Sequence, residues 1–364
     1  MKVPFLKLIQ IILVLPSVTM AQVIIPANTI LSTTANTKIT IVTPNTIVNK
    51  SAFDFSTSKL DLDLNGAAQS ISGNLFIENL ALSTNGIKSI DGNLTITDKI
   101  QFDNGILTPS AASKLLFIGP KDGIGGGNNN SYCDGVFYSN GSGKRIFPLG
   151  TGNIFTPIQF ESITGEVGVK LNAGSASLSF DPADITSINQ AFYWEIKTDP
   201  TKINSKVTLS LNNIDALTTN AEGSITVIQA NNVGGQGQNL GSSSLSINSS
   251  PPSISSRENV SASILAIGKE RKITVRVHDL ITPSTLDGQN DKLTIENIEK
   301  FDHNKVTLLD RWGSRVTEWT NFSNDLSYDF SKLSTGNYIC IVEYGNAGEP
   351  NHVEQQMVTV LKTN

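Results

Sequence analysis

An internal repeat constrains the fold of this chain more than any other feature of its sequence. Residues 69–86 (QSISGNLFIENLALSTNG) and residues 88–105 (KSIDGNLTITDKIQFDNG) align at a shift of nineteen positions, with Ser-Ile, Gly-Asn-Leu, Ile and a closing Asn-Gly in register. Each unit holds two short strand-like runs and is too small to bury a hydrophobic face alone. The repeats therefore predict a stack over residues 22–120 in which neighbouring units share one core.

Two architectures have this period. One is a short parallel β-solenoid, in which each repeat forms a coil and the Asn and Gly residues take the left-handed conformations that its corners require. The other is an antiparallel meander, because Asn-Gly is also a strong hairpin signal. We favour the solenoid because the match extends beyond the turns to Gly-Asn-Leu and Ile in register.

The chain changes character after the repeats. Residues 121–130 (KDGIGGGNNN) are rich in Gly and Asn and predict a linker. Residues 131–270 alternate short strand-like runs with Gly, Asn, Asp or Pro turns, which is typical of a middle β-sandwich. Within that region, residues 231–256 (NNVGGQGQNLGSSSLSINSSPPSISS) predict a long polar loop.

The first residues predict a secretory signal peptide at 1–21. Two lysines precede an apolar run at residues 8–15, and small residues lead to a cleavage point before Gln22. The run is too short to cross about 30 Å of hydrocarbon. We therefore expect a soluble exported chain without a membrane-spanning segment.

The composition argues against several classes of function. Charged residues make up 16% of the chain and the formal net charge is -5, so nothing attracts nucleic acid. The histidines His278, His303 and His352 have no metal-binding spacing, and the chain has neither a G-x-S-x-G nor an H-E-x-x-H motif. We therefore expect a protein that is not an enzyme and has no cofactor.

One alternative places chemistry on the repeats. Asp61, Asp63, Asp98 and Asp103 would then form the carboxylate cluster of a solenoid that binds or degrades polysaccharide. A cleft lined by aromatic and paired acidic residues would support this alternative. A uniform ladder of Asn, Ser and Thr would instead support a structural role.

The most specific motifs lie in residues 271–364. Residues 282–291 (TPSTLDGQND) begin with Thr-Pro and end in an acidic turn, residues 308–313 read LLDRWG, and residues 336–338 read GNY. About seven strand-like runs occur in these ninety residues, the number expected of an immunoglobulin-like β-sandwich.

These motifs resemble the gliding motility-associated C-terminal domain, found at the ends of proteins exported by the type IX secretion system of gliding Gram-negative bacteria. The matched residues are Thr282, Pro283, Asp287, Gly288, Asn290, Asp291, Asp310, Arg311, Trp312, Gly313, Gly336 and Tyr338. The resemblance implies a sorting domain whose partner is the type IX machinery. It also implies export through the periplasm to the cell surface or the medium.

Physical roles follow for some matched residues. We expect the Trp312 ring to be buried between the sheets. We expect Arg311 either to pair with a carboxylate such as Asp310 or Asp287 or to stack on an aromatic face.

The acidic turn raises the question of a metal. Asp287, Asn290 and Asp291 bring several hard oxygen atoms into one turn, where they could bind Ca²⁺. We favour a β-turn whose side chains cap their own backbone, because the spacing falls short of a calcium loop.

The sequence thus predicts an exported, all-β surface or secreted protein. The repeats and the middle region would act as adhesive or structural cargo that contacts surface glycans or neighbouring cells. The alternative is a carbohydrate-binding or polysaccharide-degrading protein built on the β-solenoid.

Overall fold

The computed structural model describes residues 23–25, 39–43, 47–49, 60–212, 224–271, 273–284, 290–325, 328–345 and 351–362. The predicted signal peptide at 1–21 lies outside them. Strands hold most of the described residues, and the helices among them are three single-turn 3-10 helices at Pro200–Lys202, Ile298–Lys300 and Phe330–Lys332. In these ranges, no helix has the length and apolarity needed to span a membrane. The predicted all-β class is confirmed.

The chain forms two compact units, Met1–Arg271 and Lys272–Asn364. The first ten strands belong to the repeat region. They are β1 (Val23–Ile25), β2 (Ile39–Thr43), β3 (Ile47–Asn49), β4 (Leu60–Leu64), β5 (Ala68–Ser72), β6 (Leu75–Asp91), β7 (Asn93–Pro109), β8 (Lys114–Phe117), β9 (Ile124–Gly126) and β10 (Ser131–Cys133).

These strands stack in three parallel ladders. The first ladder runs β1, β3, β5, β6, β7, β10, the second starts β6, β7, β8, and the third runs β2, β4, β6, β7, β9. Strands β6 and β7 are long because each one bends through all three ladders. The parallel solenoid is therefore confirmed over the antiparallel meander.

The Asn-Gly corners explain why the coils stack closely. Gly86 has φ of +117° and Gly105 has φ of +116°, values that L side chains rarely adopt. A Cβ added to Gly86 would overlap the carbonyl oxygen of Ala67 in the preceding coil. Glycine therefore sets the distance between successive corners.

The predicted Gly/Asn linker at 121–130 contributes a strand to this stack instead. Ile124–Gly126 pairs in parallel with Ile100–Phe102 and extends the third ladder. The pairing needs only backbone N–H and C=O groups, which glycine supplies. The Gln101 side chain occupies the space beside Gly125 that a larger residue would need.

The strands that follow are mostly antiparallel. They are β11 (Phe137–Phe147), β12 (Gly150–Thr151), β13 (Ile154–Phe155), β14 (Ile158–Ala173), β15 (Ile185–Ile188), β16 (Phe192–Ile196), β17 (Val207–Ser210), β18 (Ile225–Ala230), β19 (Gln238–Asn239), β20 (Ser242–Ser246), β21 (Ser253–Ser256) and β22 (Ile264–Glu270). Strands β19, β20 and β21 lie in the segment 231–256, so its prediction as a loop was wrong. The Ser-rich strands pair with each other and with β17 through their backbones.

Strand β11 joins the two kinds of architecture. It pairs in parallel with β8 and antiparallel with β14, so it also ends the second ladder. The first half of β14 pairs with β17, which leads to β21 and β20, and the second half pairs with β16, which leads to β22 and β18. One continuous core of buried apolar side chains extends from Ile47 in the solenoid to Ile267 in β22.

Within its described residues, the second unit has seven strands in two sheets. They are β23 (Arg276–Val277), β24 (Leu280–Ile281), β25 (Ile295–Glu296), β26 (His303–Leu309), β27 (Arg315–Thr320), β28 (Gly336–Gly345) and β29 (His352–Val360). The order β24-β29-β28-β26-β27 forms one sheet, and β23 pairs with β25. Alternate residues such as Val306, Cys340 and Val358 point into a core formed within this unit. The immunoglobulin-like arrangement stays a prediction.

A lysine lies inside the solenoid. Lys88 in β6 is fully buried, and its amine donates to the carbonyl oxygen of Gly66 in the preceding coil. Burial lowers the pKa of Lys88 below its usual value, and the charge of Asp63 opposes this shift. The interior of the stack therefore disfavours the charged form of this side chain.

Replacing Lys88 by methionine is expected to change how stability depends on pH. Because the folded-state pKa lies below 10.5, the unfolded chain binds more protons in the window between the two pKa values, and wild-type stability gains there as pH rises. Lys88→Met lacks this gain. Its free energy of unfolding minus that of wild type should therefore be largest near neutral pH and fall as pH approaches about 10.5.

Urea unfolding at a series of pH values measures this difference. Lys99→Met, which removes an exposed amine from β7, controls for the loss of a positive charge. A Lys88→Met difference that is constant or grows with pH would contradict the expectation.

Candidate functional site

The tip of the hairpin between β26 and β27 is held by hydrogen bonds to the side chain and the backbone of Asp310. Asp310 accepts hydrogen bonds at Oδ1 from the backbone N–H groups of Trp312 (2.8 Å) and Ser314 (2.9 Å). The N–H of Gly313 donates to the carbonyl oxygen of Asp310 at 3.0 Å, and Gly313 has φ of +82°. This aspartate therefore caps the turn, as short polar side chains commonly do.

Trp312 lies outside the core, so the prediction of its burial was wrong. Its side chain is 79% exposed, more than any other large apolar residue in the described ranges. The inward-facing positions of β26 are taken by Val306 and Leu308, and the chain turns before residue 312 can follow them. Trp312 therefore projects from the end of the hairpin.

Arg311 stacks on this exposed ring. Its guanidinium carbon lies 5.0 Å from the centre of the Trp312 ring, within the range of a cation–π contact. The Oδ1 atom of Asp310 accepts hydrogen bonds from the backbone of the turn. Among the residues that the structure describes, no carboxylate forms an ion pair with Arg311. The stacked alternative is thus the one that the structure shows.

A second arginine in the same hairpin is paired. Arg315 approaches Glu318 at 3.3 Å, and Lys305 approaches the same carboxylate at 3.1 Å. The hydrogen bond from Lys305, assisted by Arg315, lowers the pKa of Glu318 below its usual value. The hairpin thus contains one arginine with a carboxylate partner and one that stacks on tryptophan.

Thr282 and Gly336 lie at the same end of the five-stranded sheet as this tip. Ile281 pairs with Val360, which also pairs with Gly336, so Thr282 follows β24 at the edge where β28 begins. Leu309, just before the tip, pairs with Ile339 near the start of β28. At about 4.8 Å between strands, this end is roughly 14 Å wide from β24 to β26.

Further contacts hold this end of the sheet in place. The N–H of Thr282 donates to the carbonyl oxygen of Asn290 at 2.6 Å, and Pro283 is buried. Tyr338 points inward and donates from its hydroxyl to the carbonyl oxygen of Ser334 at 2.9 Å. These residues therefore have structural roles around the tip.

The acidic turn lies partly within the described residues. Asp287 and Gly288 lie outside the described residues, whereas Asn290 and Asp291 lie inside them. In the described ranges, no group of three or more His, Cys, Asp or Glu side chains is arranged to hold a metal ion. The expectations for this turn, whether capped or bound to Ca²⁺, stay predictions.

Comparison with protein families decides what this unit is. Residues 275–360 match the model of the CHU_C type IX secretion signal domain. The chain carries a type IX secretion signal domain. The resemblance stated from the sequence is therefore confirmed, and such a domain implies export toward the cell surface or medium as cargo of the type IX machinery. Searches of the curated proteins and of the solved structures gave no match.

Upstream of the signal domain, Asp61 and Asp63 of the solenoid bond to the neighbouring coil, and Asp103 bonds within its own strand. Asn79 donates to Asp61 at 2.7 Å, and Ser83 donates to Asp63. On the next coil, Gln101 donates to Asp103 at 2.7 Å. These polar contacts lie along the third ladder of strands, two of them between β4 and β6 and one within β7.

Proposed function

We propose that residues 272–364 are the export address of this chain, and that the unit before them is non-enzymatic adhesive or structural cargo at the cell surface. The observation that carries the first part is that the signal domain builds its core from its own residues. Every side chain of that core lies between Val275 and Val360. Such a unit can be recognised without the cargo it follows.

The polar contacts between two coils support the second part. Two carboxylates of the solenoid, Asp61 and Asp63, accept hydrogen bonds from side chains of the next coil. General acid–base catalysis on a glycan needs a pair of carboxylates facing the bond to be broken. Carboxylates engaged between coils instead hold the stack together, as expected of a scaffold that presents a surface to glycans or neighbouring cells.

Deleting residues 272–364 is expected to abolish export. The full chain should reach the surface or the medium of a bacterium that has a working type IX system, and should stay in the periplasm when that system is inactivated. The chain truncated after Arg271 should stay in the periplasm of both strains. Immunoblots of periplasm, cell surface and medium measure the distribution.

Two controls make this result interpretable. Protease resistance of the truncated chain in the periplasm shows that its retained unit is folded. A reporter protein followed by residues 272–364 tests the address without the cargo. Export of the full chain in both strains, or of the truncated chain in the wild-type strain, would refute the proposed function.

A further inference from the structure

Arg311 and Trp312 have the properties of a binding contact that has no partner within the described chain. The indole ring is 79% exposed, the guanidinium stacks on it, and no described carboxylate pairs with that guanidinium. The neighbouring Arg315 has its partner in Glu318. Within one hairpin, Arg315 therefore forms an ion pair, whereas Arg311, at the tip, stacks on the tryptophan ring.

The tip is also preorganised. Four hydrogen bonds within the turn fix the backbone from Asp310 to Ser314. Because the turn is already ordered, binding loses little backbone entropy there. Tryptophan and arginine are the residue types that most often dominate the affinity of an interface.

From these observations we propose that the Arg311–Trp312 tip docks the signal domain onto a component of the type IX machinery that offers a carboxylate beside an apolar slot. The slot takes the indole ring, and the carboxylate takes two parallel hydrogen bonds from the guanidinium. This inference rests on the proposed function, since the docking partner belongs to the export route.

The charge of the unit favours a protein partner over an anionic membrane. Residues 272–364 contain nine Lys and Arg against thirteen Asp and Glu. A surface with this excess of acid is repelled by anionic headgroups, which require clusters of basic residues. A single guanidinium beside an indole is instead suited to one carboxylate in a shaped pocket.

The test uses the full chain in a bacterium with a working type IX system. Trp312→Ala removes the ring and Arg311→Gln removes the charge. We expect either variant to lower the exported fraction about tenfold or more, since loss of a dominant interface residue weakens binding by about 30-fold. Arg311→Lys should recover only part of the loss, because lysine cannot form the paired hydrogen bonds.

Two matched variants control for charge and for exposed apolar surface. Arg315→Gln removes the same charge from the same hairpin, and Met357→Ala removes a side chain that is 59% exposed on β29. Both should be exported like wild type. A photo-crosslinking residue in place of the exposed Ser314, beside the intact Arg311–Trp312 tip, should trap a subunit of the machinery, whereas one at position 357 should not.

The possible outcomes separate this inference from the proposed function. If Trp312→Ala and Arg311→Gln are exported as well as wild type while wild type still needs the system, the tip is not the docking contact and the export address stands. If the wild-type chain is exported without a working type IX system, both the docking inference and the proposed function are refuted. The inference is also overturned if both control variants lose export equally, or if the tip variants lose only binding to anionic phospholipid vesicles.

Discussion

Replacing Gly86 by alanine is expected to destabilise the N-terminal unit by about 4 kcal/mol or more, which is exceptional for a single substitution. The new Cβ would overlap the carbonyl oxygen of Ala67 in the preceding coil, and this atom belongs to the backbone. Relief therefore requires the two coils to move apart. The φ of +117° adds conformational strain of about 1–3 kcal/mol for any L side chain.

A second glycine separates the overlap from the strain. Gly143 in β11 has φ of +81°, but the space beside it is open. Gly143→Ala should therefore lose only the conformational part, about 1–3 kcal/mol. Urea unfolding followed by circular dichroism compares the two variants. Equal losses would mean that the corners of the coils do not limit their stacking distance.

The Trp194→Ala variant is expected to lose about 3–5 kcal/mol of unfolding free energy. Trp194 is fully buried, at the point where β16 pairs with both β14 and β22. Its ring meets Phe192 edge-on at 5.3 Å between centroids, and its Nε1 donates to the carbonyl oxygen of Thr156 at 3.1 Å. Alanine at this position leaves a cavity in the shared core and an unpaired buried carbonyl.

Two further variants apportion this loss. Trp194→Phe retains an aromatic ring and loses the hydrogen bond, so we expect a smaller cost of about 1–3 kcal/mol. The same change from tryptophan to alanine at the exposed position 312 should alter stability by no more than about 0.5 kcal/mol. Urea unfolding measures all three. A loss below about 1 kcal/mol for Trp194→Ala would show that the core closes around the cavity.

The solenoid could be predicted from the sequence because the residues that repeat with its period include the apolar side chains that face inward. Leu75 and Ile77 of one repeat pair with Leu94 and Ile96 of the next, and all four are buried. A meander would need only the turns to match. Gly86 occupies a corner with positive φ, as the repeat predicts.

Other features of the first unit depend on backbone pairing between strands, which the side-chain pattern of the sequence does not predict. Ile124–Gly126 joins the third ladder through its backbone, although the Gly-rich run around it reads as a linker. The serine strands β20 and β21 form because β17 offers a free edge to pair with. The core shared by the solenoid and the antiparallel strands could not be predicted from local patterns. It depends on the pairing of the first half of β14 with β17 and of the second half with β16, which are distant in sequence.

The candidate site was predicted in its residues and not in its arrangement. The motifs identified Arg311 and Trp312, but the expectation of burial followed from the apolar character of tryptophan alone. Its place in a turn capped by Asp310 decides the opposite outcome. The meeting of Thr282, Gly336 and the hairpin tip at one end of the sheet depends on the register of β24, β28 and β26 against their neighbours, which no local motif encodes.

The double pairing of β11 has a consequence for assembly. A stack of parallel coils with an open end can template strands from another molecule and grow into a fibre. Here Phe137–Ser139 bonds to Leu115–Phe117 on one side and to Val167–Val169 on the other. The second ladder is thus closed by the chain itself, so its last coil offers no free strand edge there to another molecule. Whole repeats can consequently be inserted or removed upstream, and the reach of the molecule adjusted, without disturbing this closure.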